Sequence, residues 1–146
     1  MASNIILLIE DNPDDEALTL RAFKKSNLTN EVIIARDGVQ ALDYLFGTGD
    51  YTGRDTSVVP SLILLDLKLP KVDGLQVLER IRSDARTRLV PVLILTSSKE
   101  QEDLIRGYSL GANSYVRKPV DFNQFLHGIQ QLGLYWLVLN EQPPSG

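Results

Sequence analysis

Short apolar runs alternate along this chain with longer segments of helical periodicity, and each run stops at a polar group. Asn4 to Ile9 is followed by Glu10-Asp11, and Leu62-Ile63-Leu64-Leu65 by Asp66. Val90 to Leu95 ends in Thr96, and Asn113 to Arg117 ends in Lys118-Pro119. The runs at 4–9, 61–65 and 91–95 are continuously apolar, as expected of parallel strands covered on both faces. Glu31 to Arg36 is polar at both ends and suits an edge strand. Five strand-like and five helix-like segments alternate strictly. That pattern predicts an α/β architecture, a doubly wound five-stranded parallel sheet with helices on both faces.

Capping chemistry marks the helix starts. Asp37, Asp73, Ser98 and Asp121 each precede a Gln by three residues (Gln40, Gln76, Gln101, Gln124), so each can close a capping box. Asn12-Pro13 supplies another start, with Asp14, Asp15 and Glu16 in the first turn, where acids complement the helix dipole. Helices are thus expected at about 13–26, 37–46, 74–84, 99–110 and 121–139. The Gly-rich stretch from Gly47 to Pro60 is longer than most helix-to-strand connections.

In an open parallel sheet the carboxyl ends of the strands share one edge, where such folds place their sites. Here that edge would gather Glu10, Asp11 and Asp66, the Thr96 hydroxyl and the Lys118 amine. Clustered carboxylates repel one another and call for a cation. Oxygen-only ligands suit Mg²⁺. A lysine and a hydroxyl beside them suit an oxyanion, and a carboxylate in such a site can be a nucleophile that forms an aspartyl phosphate. Taken singly, each residue has a plainer reading. Asp14 and Asp15 read as helix-dipole partners, Glu10-Asp11 as a solvated loop pair, and Asp66 as a polar stop. Lys118-Pro119 reads as loop, and Tyr115 and His127 as packing. The conjunction at successive strand ends is what points to chemistry.

Composition narrows the field. A chain of 146 residues is one domain by size, here 1–146 with a core at about 4–139 and a loose tail from 140. The net charge of −4 and the lack of a basic stripe argue against nucleic-acid binding. With no cysteine, thiol catalysis and zinc–thiolate sites are excluded, and a reducing cytoplasm is consistent. No signal peptide or membrane-length apolar stretch is read. The single His127 offers neither a metal cluster nor a His-based triad partner set.

Residues 4 to about 135 resemble a response-regulator receiver domain. The resemblance rests on Glu10-Asp11, on Asp66 in the run Asp66-Leu67-Lys68-Leu69-Pro70-Lys71-Val72-Asp73-Gly74, on Thr96-Ser97-Ser98, and on Tyr115 before Lys118-Pro119. The 47–60 loop and the extended last helix resemble the stand-alone regulators that pair with cyanobacterial phytochrome histidine kinases. The resemblance implies a flavodoxin-like fold of strand order 2-1-3-4-5. It implies Asp66 as phosphoacceptor for a sensor histidine kinase, and Mg²⁺ held by Asp11, Asp66, the Lys68 backbone carbonyl and, through water, Glu10. It implies that Lys118 pairs with the phosphoryl oxygens, that Thr96 and Tyr115 form the switch, and that Lys118-Pro119 is cis. Such a protein is not an enzyme but a phosphoacceptor that assists its own Mg²⁺-dependent phosphorylation and dephosphorylation. Glu10 replaces the commoner Asp, and Ser97 stands where a smaller residue is frequent, which bears on phosphoryl lifetime.

Competing readings are weaker. An aspartyl-phosphate phosphatase needs a second acid two residues after the nucleophile, where this chain has Lys68. Flavin binding needs a glycine- and hydroxyl-rich loop after the first strand. A receiver-like interaction module that works without phosphate is the remaining alternative. With only a short tail after the last helix, the signal is expected to leave by protein contact, to a downstream or phosphotransfer partner. If the last helix runs to 139, Leu134, Tyr135 and Val138 fall off its core-facing stripe and form an apolar patch, which predicts a homodimer. If the helix ends near Gly133, the segment folds back instead.

Overall fold

The computed structural model describes residues 4–26, 28–96 and 114–134. In chain order it contains β1 (Ile5–Ile9), α1 (Pro13–Lys25), β2 (Glu31–Ala35), α2 (Gly38–Phe46), a 3-10 turn (Gly49–Tyr51), β3 (Leu62–Asp66), α3 (Gly74–Ser83), β4 (Val92–Thr96), β5 (Ser114–Arg117) and a final helix, here α4 (Phe122–Gln131). The five strands form one sheet in the order β2-β1-β3-β4-β5, and every neighbouring pair is parallel. The expected β2 edge is thus observed. The helix expected at 99–110, with its Ser98 cap, lies outside the described residues.

Alternation along each strand divides the core in two. Leu7, Ile9, Ile63, Leu65, Val92 and Ile94 pack on one face against Ala41, Tyr44 and Leu45 of α2 and Val77, Leu78 and Ile81 of α3. Ile6, Leu8, Leu62, Leu64, Leu93 and Leu95 pack on the other against Ala22 and Phe23 of α1 and Phe125 and Ile129 of α4. The Phe23 and Phe125 rings meet at 4.8 Å and 46°. Period-two strands buried on both sides explain why the sequence reads as unbroken apolar runs.

The caps form largely as the residue types dictate. Asn12 Oδ1 accepts from the Asp14 and Asp15 amides at 2.8 and 3.2 Å, and Pro13 opens α1. Asp73 and Gln76 close a full capping box. At α2 the box is altered: Asp37 accepts from the Gln40 amide at 2.8 Å, but Gln40 Oε1 accepts from the Arg36 amide at 2.9 Å. Asp121 accepts from the Gln124 amide at 2.8 Å.

The 47–60 connection is tied down by Arg54. Its guanidinium donates to the Tyr44 and Leu45 carbonyls at the end of α2, and to the Asp55 and Val58 carbonyls of the loop. It also lies 4.2 Å over the Tyr44 ring. One side chain thereby serves orphan carbonyls that a helix end leaves open.

The last helix is shorter than the expected 121–139. α4 ends at Gln131, and Gly133 takes φ 71. The Gly133 amide returns to the Gln130 carbonyl at 3.0 Å and the Leu134 amide to the Ile129 carbonyl at 3.3 Å. This is a Schellman closure, which glycine makes easy because it lacks a β-carbon. Leu134 then packs, partly buried, on the same core as Phe125 and Ile129. It does not stand on an exposed opposite face, so that part of the dimer expectation is corrected. Tyr135 and Val138 lie outside the described residues.

Candidate functional site

The strand ends converge as the sequence predicts. Glu10 follows β1, Asp66 closes β3, Thr96 closes β4 and Lys118 follows β5. Glu10, Asp66 and Thr96 are buried, at 0%, 1% and 3% exposure, whereas Asp11 is exposed. Neighbouring ladders set the heights: Ile9 pairs with Leu65, Asp66 with Leu95, and Thr96 with Arg117. The Lys118 amide donates to the Thr96 carbonyl at 2.6 Å, and the Lys118-Pro119 bond is cis.

Lys118 Nζ is the hub. It lies 2.9 Å from Asp66 Oδ2, 3.0 and 3.2 Å from the two Glu10 oxygens, and 3.2 Å from Asp15 Oδ2. Asp66 Oδ1 accepts from the Lys68 amide at 3.0 Å. Glu10 Oε2 accepts from the Asn12 amide at 3.3 Å, while Glu10 Oε1, though near the ammonium, has no hydrogen bond of good geometry. Burial, the hydrogen bond with Asp66 and the Asp66 charge push Glu10 up to about 8, against the lowering effect of Lys118. Burial alone would lower Lys118. Its hydrogen bond to Asp66 and the charges of Asp66 and Glu10 outweigh that and raise it above the usual lysine range.

Glu10, Asp11 and Asp66 each offer an oxygen within 4.8 Å of the others. Three carboxylates at this spacing, one carrying a buried oxygen without a hydrogen bond, fit a hard divalent cation with oxygen ligands. Lys68 contributes its backbone at the same edge, and its side chain is exposed. Tyr115 stands apart. It pairs with Ile94 in the β4–β5 ladder and is 43% exposed, turned outward between the buried Ser114 and Val116.

Asp15 is the functional candidate that the sequence reading missed. Its place in the first turn of α1 made it look like a helix-dipole acid. Helical side chains tilt toward the N-terminus of their helix, and here that direction leads to the strand ends. The position four residues after Asp11, in the helix that leaves the first site-bearing strand, was the available signal.

The family described as response regulator receiver domain matches residues 6–130. The chain belongs to the response regulator receiver family. Response regulator Rcp1 from Synechocystis sp. is 38% identical over 133 residues, covering 91% of this chain and 88% of that protein. The Mn(2+)-bound crystal structure of Rcp1 has a TM-score of 0.75 to this receiver, at 35% identity, covering 97% of this chain and 99% of that one. The probable methanogenesis regulatory protein FilR2 from Methanothrix harundinacea is 42% identical over 139 residues, covering 95% of this chain and 87% of that protein. The solved bacteriophytochrome response regulator RtBRR is 53% identical with a TM-score of 0.85, covering 99% of this receiver and 86% of that chain. Fold, strand order and receiver identity thus agree with the expectations from sequence. Among the described residues no helix is long and apolar enough to cross a membrane.

Proposed function

We propose that Asp66 is the phosphoacceptor of this receiver, charged by a sensor histidine kinase of phytochrome type. The observation that carries the reading is Asp66 Oδ2 at 2.9 Å from Lys118 Nζ, beside Glu10 and Asp11 at the carboxyl edge of the sheet. The similarity to a bacteriophytochrome response regulator and to Rcp1 supports the class of kinase. In the transfer, an Asp66 carboxylate oxygen bonds to phosphorus. The P–N bond of the phosphohistidine breaks and its electron pair stays on the imidazole. Little covalent work falls to the protein, so positioning and charge neutralisation dominate.

Glu10, Asp11, Asp66 and the Lys68 carbonyl would hold Mg²⁺, which when bound supplies positive charge to the phosphoryl oxygens. Lys118 holds Asp66 in place before transfer and neutralises phosphoryl charge afterwards. The Thr96 hydroxyl binds a phosphoryl oxygen, and Tyr115 follows as the outward half of the switch, a local charge change acting on a two-state element. The protein works in the cytoplasm and signals by protein contact, to a downstream or phosphotransfer partner.

Beside Tyr115 lies a cavity of 420 Å³ lined also by Arg117, Asn123, Gln124 and His127. A second copy of the chain pairing across this face and the end of α4 is the dimer that this reading favours. Leu134 serves it only as packing for α4. Sedimentation with and without a phosphoryl mimic tests the dimer, and a monomer at tens of micromolar in both states removes it. The decisive test of the site is Asp66→Asn. This change should abolish labelling by a phosphorylated kinase and by acetyl phosphate with Mg²⁺, and undiminished labelling would overturn the assignment.

A further inference from the structure

An ammonium has three N–H donors. Lys118 donates to Asp66 at the end of β3 and to Glu10 at the end of β1, and it also lies within ion-pair distance of a third carboxylate, Asp15 in the first turn of α1. The three are not equivalent. The Asp66 and Glu10 side chains are sealed from water, at 1% and 0% exposure, whereas Asp15 keeps 22%. Asp15 is the partner that water can replace at least cost. It is nevertheless held toward the site, because Asn12 caps its amide at 3.2 Å and Thr19 Oγ1 donates to its carbonyl at 2.8 Å.

We propose that Asp15 is a placeholder for the phosphoryl group, a positioning residue that occupies Lys118 in the unphosphorylated protein and competes with the phosphoryl oxygens for it afterwards. The proposal rests on Asp66 being the phosphoacceptor. A phosphoryl group on Asp66 would add close to two negative charges and three strong acceptor oxygens. Lys118 is already ringed by three carboxylates at 2.9–3.2 Å, so phosphoryl oxygens that approach it compete with those contacts. Glu10 has no water to take the place of the ammonium. Asp15 does, and once released it remains a negative charge beside the phosphoryl group. Asp15 therefore keeps Lys118 aligned at rest and lowers the affinity of the site for the phosphoryl group.

The size of the effect follows from the class of contact. A partly exposed ion pair shifts an equilibrium by up to about fivefold. The experiment labels the full chain with acetyl phosphate under saturating Mg²⁺ and measures formation and decay separately. In formation, an Asp66 oxygen bonds to phosphorus, and the P–O bond to acetate breaks with its electron pair leaving on acetate. Asp15→Asn should raise the ratio of the formation to the decay constant by about three- to fivefold. Asp15→Glu restores the charge with a longer reach and should stay near the wild type. Asp14→Asn is the control, because it removes an equal charge from the neighbouring first-turn position, which is exposed. Thermal midpoints of all three should match the wild type, which separates competition for Lys118 from a loss of helix capping.

An unchanged or lowered ratio in Asp15→Asn overturns the proposal, as does an equal rise in Asp14→Asn. If Asp66→Asn still labels, the phosphoacceptor reading has failed and this inference falls with it. If Asp66→Asn is silent while Asp15→Asn behaves as the wild type, only the placeholder role is lost.

Discussion

A β-carbon added at Gly74 would stand 2.4 Å from the carbonyl oxygen of Asp66. It would also lie 2.5 Å from Leu67 Cα, while the Gly74 amide donates to the Leu67 carbonyl at 3.0 Å. The start of α3 is thus pressed directly beneath the end of β3, and the conflict is with backbone that cannot swing aside. Gly74→Ala should destabilise the protein by about 1–3 kcal/mol, the range for overpacked sites. It should also weaken divalent-cation binding, because relief requires moving the Asp66–Lys68 segment. Urea unfolding with a parallel Mg²⁺ titration checks both, and a variant equal to the wild type in each would show that the contact relaxes freely.

Removing the ammonium should split two properties that usually travel together. Lys118 places one positive charge 2.9–3.2 Å from carboxyl oxygens of Asp66, Glu10 and Asp15. Without it the carboxylates have only a metal to balance them. Lys118→Ala should bind Mg²⁺ tighter by about tenfold, an effect of the size that one charge at about 3 Å supplies in a water-like dielectric. The same variant should accept phosphoryl groups more slowly, since its product loses a cation. Thr96→Ala should still accept phosphate but mute the conformational response. Tighter metal binding with faster labelling in Lys118→Ala would contradict the assigned role.

The pH dependence of the metal-free protein follows from Glu10. Its carboxyl is raised from 4.5 to about 8 by burial, by its hydrogen bond to Asp66 and by the Asp66 charge. Between those values the folded protein holds a proton that the unfolded chain has lost. Stability should therefore fall as pH rises through that window and level off above it. The loss is present in chelator and shrinks with excess Mg²⁺, because the cation replaces the proton. Glu10→Gln should flatten the slope without metal. Denaturant midpoints across the window in chelator give the test, and a stability that rises with pH there would reverse the assignment.

Arg54 should matter more than its position in a surface loop suggests. It serves four backbone carbonyls and lies over the Tyr44 ring. Arg54→Ala should cost about 1–3 kcal/mol, since the partly buried Tyr44 and Leu45 carbonyls lose their donor together with two exposed ones. Arg54→Lys should recover little of it, because an ammonium cannot reproduce a planar fork. Proteolysis within 47–60 should accelerate in both, which limited digestion would detect.

Much of this was legible in advance, for a physical reason. Strands buried on both faces must be apolar along their whole length, so β1, β3 and β4 announce themselves, and the first polar residue after each falls on the functional edge. That is why Glu10, Asp66 and Thr96 could be assembled from the sequence, while Lys118, after the half-exposed β5, was placed by its position in the alternation of strands and helices. The failures have physical causes too. Asp15 looked like an ordinary first-turn acid, because its partner is more than one hundred residues away and no local pattern encodes it. The length of α4 was misjudged because an apolar stripe continues past Gly133, while the backbone there turns on a left-handed glycine that periodicity does not register. The role of Arg54 was invisible because its acceptors are main-chain carbonyls, which every sequence possesses.

The short contact between the Lys118 amide and the Thr96 carbonyl makes the β4–β5 ladder a measuring rule. A parallel strand advances about 3.3 Å per residue. The four ion-pair distances of Lys118 span only 2.9 to 3.2 Å. A slip of one residue would carry the amine a full contact length away and turn it to the opposite face of the sheet. No half-assembled version of the site exists between those two registers. A copy that pairs its last strand wrongly therefore lacks the amine altogether, and its carboxylates meet a phosphodonor as those of Lys118→Ala would, with no graded series of sites in between.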